Sequence, residues 1–244
     1  MNYQLPIFIA TLIIFSTKDV NAQVDPFKYE VGINVGSYIY QGDLAPSYAG
    51  SFKTPGLAIG MQVTRKITTS LSARVEFNTG RLKGDDAKFS KPEWRSQRNF
   101  AFETSINELA ASLIWIPARF NGRLKPYVFA GAGIVFVNVT RDYSNYNPEY
   151  FVGTSVTADL EEDLATPLPA QIPVIPVGIG MRYEISERFS IIPEASFRYI
   201  SSDYIDGYSK SGTPNRNDKY FKYSIGLAYS FWNKSQYGCP VVRF

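Results

Sequence analysis

The sequence predicts an all-β protein, an eight-stranded antiparallel up-and-down transmembrane β-barrel. Three observations carry that expectation. Eight runs of the 244-residue chain alternate apolar and polar side chains, the period of a strand with two unlike faces. Each run reaches or exceeds the ~9–11 residues that a tilted membrane strand needs. The gaps between them go long, short, long, short, as in outer-membrane barrels with short periplasmic turns and longer external loops.

Ahead of the first run, Leu5 to Phe15 is apolar apart from Pro6 and Thr11, and a polar segment then ends in Val20-Asn21-Ala22. This pattern resembles an export signal with its cleavage site. The expected organisation is a signal peptide over 1–22, the barrel over 23–232 and a periplasmic C-terminal tail over 233–244. The most apolar later stretch, Val128 to Val137, is interrupted by glycines and falls short of the ~18 residues of a spanning helix. Net charge is only +3 and no basic block is dense enough to suggest nucleic acid.

The runs cover 29–41, 56–66, 70–82, 100–116, 126–140, 172–185, 189–202 and 219–232. The first opens with Tyr29 and Glu30 on opposite faces. In the second, Leu57, Ile59, Met61 and Val63 oppose Ala58, Gly60, Gln62 and Thr64. The third sets Leu71, Ala73, Val75 and Phe77 against Ser72, Arg74, Glu76 and Asn78. Alternation in the fourth changes phase between Ile106 and Leu109, which predicts a bulge near Asn107-Glu108. Gly131-Ala132-Gly133 in the fifth and Gly178-Ile179-Gly180 in the sixth open no helix, so they read as close packing in a barrel wall and not as nucleotide loops. The seventh contains Pro193, whose missing N–H calls for a local bulge in a closed sheet. The eighth alternates most cleanly, with Phe221, Tyr223, Ile225, Leu227, Tyr229 and Phe231 on one face.

The polar faces carry both signs of charge: Glu30, Arg74, Glu76, Glu103, Arg182, Glu184, Glu194, Arg198 and Lys222. The apolar faces carry aromatics expected at the strand ends: Tyr29, Phe77, Trp115, Tyr127, Tyr183, Tyr199, Phe231 and Trp232. Apolar outside and charged inside suits lipid, with the charges pairing across a lumen narrow enough for side chains to fill. The short connections are 67–69, 117–125 and 186–188; the long ones are 42–55, 83–99, 141–171 and 203–218. Their parity places both termini on the periplasmic side of a Gram-negative outer membrane. Phe231, ending the last strand, is the expected signal for assembly into that membrane.

Several segments resemble a family of Bacteroidota outer-membrane barrels catalogued as a domain of unknown function, which includes the PorG-type subunit of the type IX (Por) secretion system. They are Gly36-Ser37-Tyr38-Ile39-Tyr40-Gln41-Gly42-Asp43-Leu44, Arg98-Asn99-Phe100-Ala101-Phe102 leading to Asn107-Glu108-Leu109, and Lys125 to Gly133. Pro176 to Tyr183, Asp203-Tyr204-Ile205-Asp206 and Cys239-Pro240 complete the set. The Tyr-x-Gly-Asp-Leu element at Tyr40–Leu44 is the most specific. The resemblance implies an eight-stranded barrel and a place in a protein-export machine.

Catalysis is not expected. The chain has no His, the residue whose pKa suits general-base work at neutral pH. No cofactor or metal is expected either. Asp159, Glu161, Glu162 and Asp163 offer oxygens but lack the spaced pattern of a Ca²⁺ loop, so they read as a solvated acidic stretch. Lys83, Lys88, Lys91, Arg95 and Arg98 are interspersed with Asp85, Asp86 and Glu93, which reads as ordinary surface solvation. Function is then left to the loops and the tail. The barrel is expected to contact outer-membrane lipids, and the tail's Tyr237, Cys239 and Phe244 are the expected contacts with a periplasmic partner, a ring lipoprotein of the secretion machine. Cys239, the chain's one cysteine, is placed to bridge to that partner in an oxidising compartment. A stand-alone barrel with surface-binding or envelope-stabilising loops is the alternative.

Overall fold

The computed structural model describes residues 29–45, 51–117, 122–212 and 218–231. The expected signal peptide, the tail with Tyr237, Cys239 and Phe244, and Trp232 lie outside the described residues. Eight strands form one closed antiparallel barrel in sequence order: β1 (Tyr29–Gln41), β2 (Gly56–Lys66), β3 (Leu71–Asp85), β4 (Ala101–Trp115), β5 (Leu124–Asp142), β6 (Gln171–Glu184), β7 (Phe189–Ile200) and β8 (Lys219–Phe231). Two helices lie in the connections, α1 (Trp94–Arg98) and α2 (Val156–Ala165), with single turns of 3₁₀ helix at Asp86–Lys88 and Pro148–Phe151.

Register fixes the barrel's shape. The paired residues Tyr29, Arg65, Ala73, Leu113, Ala130, Val177, Phe197 and Phe221 lead back to β1 at Ile39, ten residues beyond the start. With strands ~4.7 Å apart and ~3.3 Å per residue, that offset requires a tilt of about 40°. Ten residues at that tilt rise about 25 Å, the height of the apolar band on outer-membrane barrels.

The exterior carries such a band. Ile33, Leu57, Met61, Val75, Leu113, Ile179 and Ile225 all point outward and are half exposed or more. A contiguous apolar surface of this extent marks contact with something other than water, and no helix among the described residues is long and apolar enough to cross a membrane. An apolar band of this height is what the lipid-facing wall of a membrane-spanning β-barrel presents. Tyr29, Trp115, Tyr183 and Phe231 stand outward near the turn end and Tyr199 near the loop end, as interface girdles require. Two expected members differ. Phe77 stands mid-strand in β3, and Tyr127 is buried inside the barrel. Ile225, the middle residue of β8, supplies a direct test. Ile225→Arg should cost about 2–4 kcal/mol of folding stability in lipid, read by urea unfolding in vesicles; a loss under 1 kcal/mol would remove the lipid-facing assignment.

Neither predicted bulge forms. Pairing of β4 with both β3 and β5 runs without a break from Ala101 to Trp115. Phe102, Thr104, Ile106, Glu108, Ala110, Ser112 and Ile114 all face inward. The phase change in the sequence marks a change in what lines the two faces: the interior is apolar near the loops and polar deeper down. At Pro193 the β6–β7 pairing resumes in the same register after two unpaired positions on each strand, while β7 stays paired to β8 through Pro193 itself. Pro176 makes the same gap toward β5. A closed sheet thus tolerates a proline by omitting one local rung pair on the side its nitrogen faces.

Strands β3 and β5 run 15 and 19 residues, longer than expected, while β4 runs 15, within its expected 100–116; all three extend past their neighbours at the loop end. Inside that extension lies the larger apolar core, containing Tyr38, Tyr40, Leu44, Leu82, Phe100, Phe102, Ile106, Val135, Ile172, Ile205, Tyr208 and Tyr220. A smaller cluster of Ile114, Tyr127, Phe129, Ile192 and Ala228 closes the turn end.

Candidate functional site

Between the two apolar clusters the lumen is filled by charge. The upper layer centres on Glu108, fully buried. Arg198 grips it through Nε at 3.0 Å and Nη2 at 3.1 Å, a fork geometry that adds strength and direction. Tyr220 Oη donates to it at 2.9 Å and Asn78 Nδ2 at 3.1 Å. Lys222 donates to the Asn78 carbonyl oxygen. In the layer below, Glu194 accepts from both Arg74 and Tyr127, and the Arg74 guanidinium lies 4.3 Å from the Phe129 ring centroid. Nearest the turns, Arg182 pairs with Glu30, and Ser230 donates to the same carboxylate. Glu76 lies between the layers, 3.8 Å from Arg74 Nε and 3.7 Å from Arg198 Nη2.

Of the nine charges read as one lumen network, eight face inward. Glu30, Arg74, Glu76, Glu194, Arg198 and Lys222 are buried, and Arg182 joins through Glu30. Glu184 lies at the rim, paired with Lys125 at 2.7 Å. Glu103 is the correction. It faces outward on the extended wall, 37% exposed, bridging Arg81 and Lys83 at 2.7 and 2.8 Å. Polar side chains return to the outer face above the apolar band, so polarity alone did not distinguish lumen from outer wall there. Sequence reasoning missed Glu108, the most connected carboxylate of the lumen, because an inward Glu broke the apparent alternation of β4. The resemblance segment ending Asn107-Glu108-Leu109 was the available signal.

The loop end is closed by an interlocked cap. Asp86, fully buried at the end of β3, accepts from Arg95 Nη1 at 2.7 Å and from Arg98 through Nε at 2.7 Å and Nη2 at 3.1 Å. The same arginines reach across to other loops: Arg95 Nη2 donates to Asp43 O at 3.0 Å and Arg98 Nη1 to Ser211 O at 3.2 Å. Asp163 on α2 accepts the backbone N–H groups of Ser209, Lys210 and Ser211 and the Ser211 hydroxyl at 2.6 Å. Four loops are thereby tied together by two buried carboxylates. Arg95 and Arg98 are structural, not solvated, and Asp163 is a clamp within a helix, not part of a solvated stretch. Among the described residues no group of three or more acidic, His or Cys side chains is arranged to hold a metal.

Beneath the cap the motif segments meet. Tyr40 Oη is 2.5 Å from Asp206 Oδ2 and 2.7 Å from Asp218 Oδ1, and it accepts the Asp43 N–H at 2.9 Å. Gly42 is required by this closeness: a Cβ there would stand 2.0 Å from Tyr40 Oη and 2.2 Å from Asp218 Oδ1. Phe100 stacks on Tyr208 with centroids 4.6 Å apart, Asp206 accepts the Tyr208 N–H at 2.8 Å and Ser209 Oγ donates to Asp203 at 2.7 Å. Burial, followed by the neighbouring carboxylates, holds Asp206 and Asp218 well above the usual carboxylate range; burial brings Asp203 up to about 6.

Residues 6–240 match the family described as a domain of unknown function (DUF6089), and the chain belongs to it. No curated protein matches the chain. Its fold is similar to that of Neisserial surface protein A, at 16% identity and TM-score 0.47, covering 83% of this chain and 97% of that one. It is similar to a major outer membrane protein of Thermus thermophilus, at 11% identity and TM-score 0.46 over 83% and 99%. It is also similar to the attachment invasion locus protein Ail of Yersinia pestis, solved with the heparin analogue sucrose octasulfate, at 12% identity and TM-score 0.45 over 84% and 99%.

Proposed function

We propose that this member of the DUF6089 family is a non-enzymatic outer-membrane barrel that anchors a type IX (Por) protein secretion complex. The observation that carries the reading is the filled lumen. The buried ion pairs Arg198–Glu108 and Arg74–Glu194 lie between two apolar clusters, and Arg182–Glu30 closes the turn end, which leaves the barrel the role of a fixture in the membrane. A lumen packed this way suits neither a channel nor a cleft for substrate, and the chain has no His to serve as general base. The type IX assignment is supported by the Tyr40–Leu44, Arg98–Phe102 and Asp203–Asp206 segments of the Bacteroidota family with its PorG-type member. In this reading the loops face outward and both ends lie in the periplasm. Contact with a ring lipoprotein then falls to Tyr237, Cys239 and Phe244.

Affinity purification of the full chain from detergent-solubilised membranes tests the assignment. Secretion-system subunits are expected to accompany it and to be lost when residues 233–244 are removed. A wild-type preparation carrying none of them would overturn the type IX reading and leave a stand-alone barrel that presents its tied loops as a binding surface. The disulfide has its own check: Cys239→Ser should remove a high-mass band from non-reducing gels of intact cells. Steady conductance in planar bilayers would contradict the sealed lumen.

A further inference from the structure

We propose that Asp206, Tyr40 and Asp218 form a proton-dependent latch that holds the β7–β8 loop over the barrel mouth. Hydrogen-bond counting carries it. Tyr40 has one hydroxyl proton, yet its oxygen lies within hydrogen-bond distance of a carboxylate oxygen on each side. It already accepts the Asp43 N–H. The hydroxyl proton serves one aspartate; the other contact closes only when that aspartate brings a proton of its own and donates to the phenol. All three residues are fully buried or nearly so, at 0–1% exposure, and Asp218 Oδ2 has no hydrogen-bond partner. A second ionised carboxylate there would face acceptors without solvent to screen it, which burial makes costly.

The charged surroundings favour holding the proton. Asp43 in the β1–β2 loop and Asp203 in the β7–β8 loop both act on the pair as like charges. From α1, Arg95 turns to Asp86 and to the Asp43 backbone. From β5, Arg141 packs its chain on Gly207 and donates to Asp163 O. Lys219, next to Asp218, turns over the Phe197 and Tyr199 rings. Tyr208 contributes a backbone N–H to Asp206, and α2 brings Asp163, a further negative charge felt at Asp203. A carboxyl whose folded-state pKa is raised stabilises the fold below that pKa and loses the contribution as pH climbs through it. The latch is therefore closed below the pair's titration and releases its proton to solvent, and the loop with it, as pH climbs through it. The inference rests on the cap alone and stands or falls independently of the secretion reading.

Hydrogen exchange of the full chain in lipid vesicles, expressed as protection factors across pH, reads the latch. Protection of residues 203–212 should fall by about tenfold per pH unit above the pair's titration, for one proton lost, while β3 and β4 stay protected. Asp206→Asn and Asp218→Asn each supply an N–H where the protonated carboxyl stood and should flatten that dependence. A flat wild-type profile, or asparagine variants that keep the wild-type slope, would overturn the proposal. So would Ca²⁺ restoring protection above the titration, with EGTA removing it below, because a cation would then hold the carboxylates together.

Discussion

Replacing Glu108 with Ala is expected to lower the barrel's unfolding free energy by about 3–5 kcal/mol, the cost of leaving a buried ion-pair partner uncompensated. Arg198 makes a two-point contact with this carboxylate, and Tyr220 and Asn78 complete its coordination. Removing Glu108 strands a guanidinium that is 1% exposed. Urea unfolding in lipid vesicles, followed by tryptophan fluorescence and by the gel shift of folded barrels, measures the loss. Glu108→Gln retains an acceptor and should cost less than Ala. A loss under about 1 kcal/mol for the Ala variant would show that the lumen rehydrates freely and that the network is not structural. Arg198→Ala combined with Glu108→Ala should be milder than the sum of the single changes, since the pair costs less to remove together than to split.

Replacing Asp86 with Ala should open the cap and leave the barrel closed. Asp86 is the shared acceptor of Arg95 and Arg98, with each ion pair at 2.7 Å, and those arginines bind the β1–β2 and β7–β8 loops. Local stability of the cap should fall by about 3–5 kcal/mol, a more than hundredfold rise in cleavage rate at the loops under limited proteolysis. The folded-barrel gel shift should persist, because β3 and β4 remain paired along their full length. Unchanged proteolysis at residues 86–100 would show that the cap is held by its apolar core and not by the carboxylate. Asp163→Ala tests the other clasp by the same assay, with cleavage expected first near Ser209–Ser211.

Most of the wall was legible in the sequence, and the failures share a cause. Period-two alternation placed all eight strands, and β1 and β2 have the expected bounds. Alternation reports which residues share a face only while each face keeps one character. Above the apolar band the outer face turns polar at Arg81 and Glu103, and the inner face turns apolar at Phe102 and Ile106. There the signal inverts, so Glu103 was assigned to the lumen and a bulge was expected where the backbone is regular. Tyr127 was misplaced for a related reason: an aromatic near a strand end suits a membrane girdle and a lumen hydrogen bond equally, and Glu194 decides between them. The loops were harder. Asp86 and Asp163 sit in stretches of mixed or acidic charge that look solvated, and their burial comes from partners on other loops.

By itself the sequence determined strand number, the alternation of short and long connections, and the apolar character of the face that the tilt raises to about 25 Å. These are local properties, set by side-chain order along one strand. The tertiary structure alone decided which charges meet. Arg198 and Glu108 are 90 residues apart, and Tyr40 and Asp206 are 166 apart. Their meeting depends on ring closure, on the ten-residue offset between the ends of that ring, and on loops folding inward over the barrel mouth. Closure turns eight similar amphipathic strands into a lumen with layers, and the cap brings the motif segments onto one buried hydroxyl.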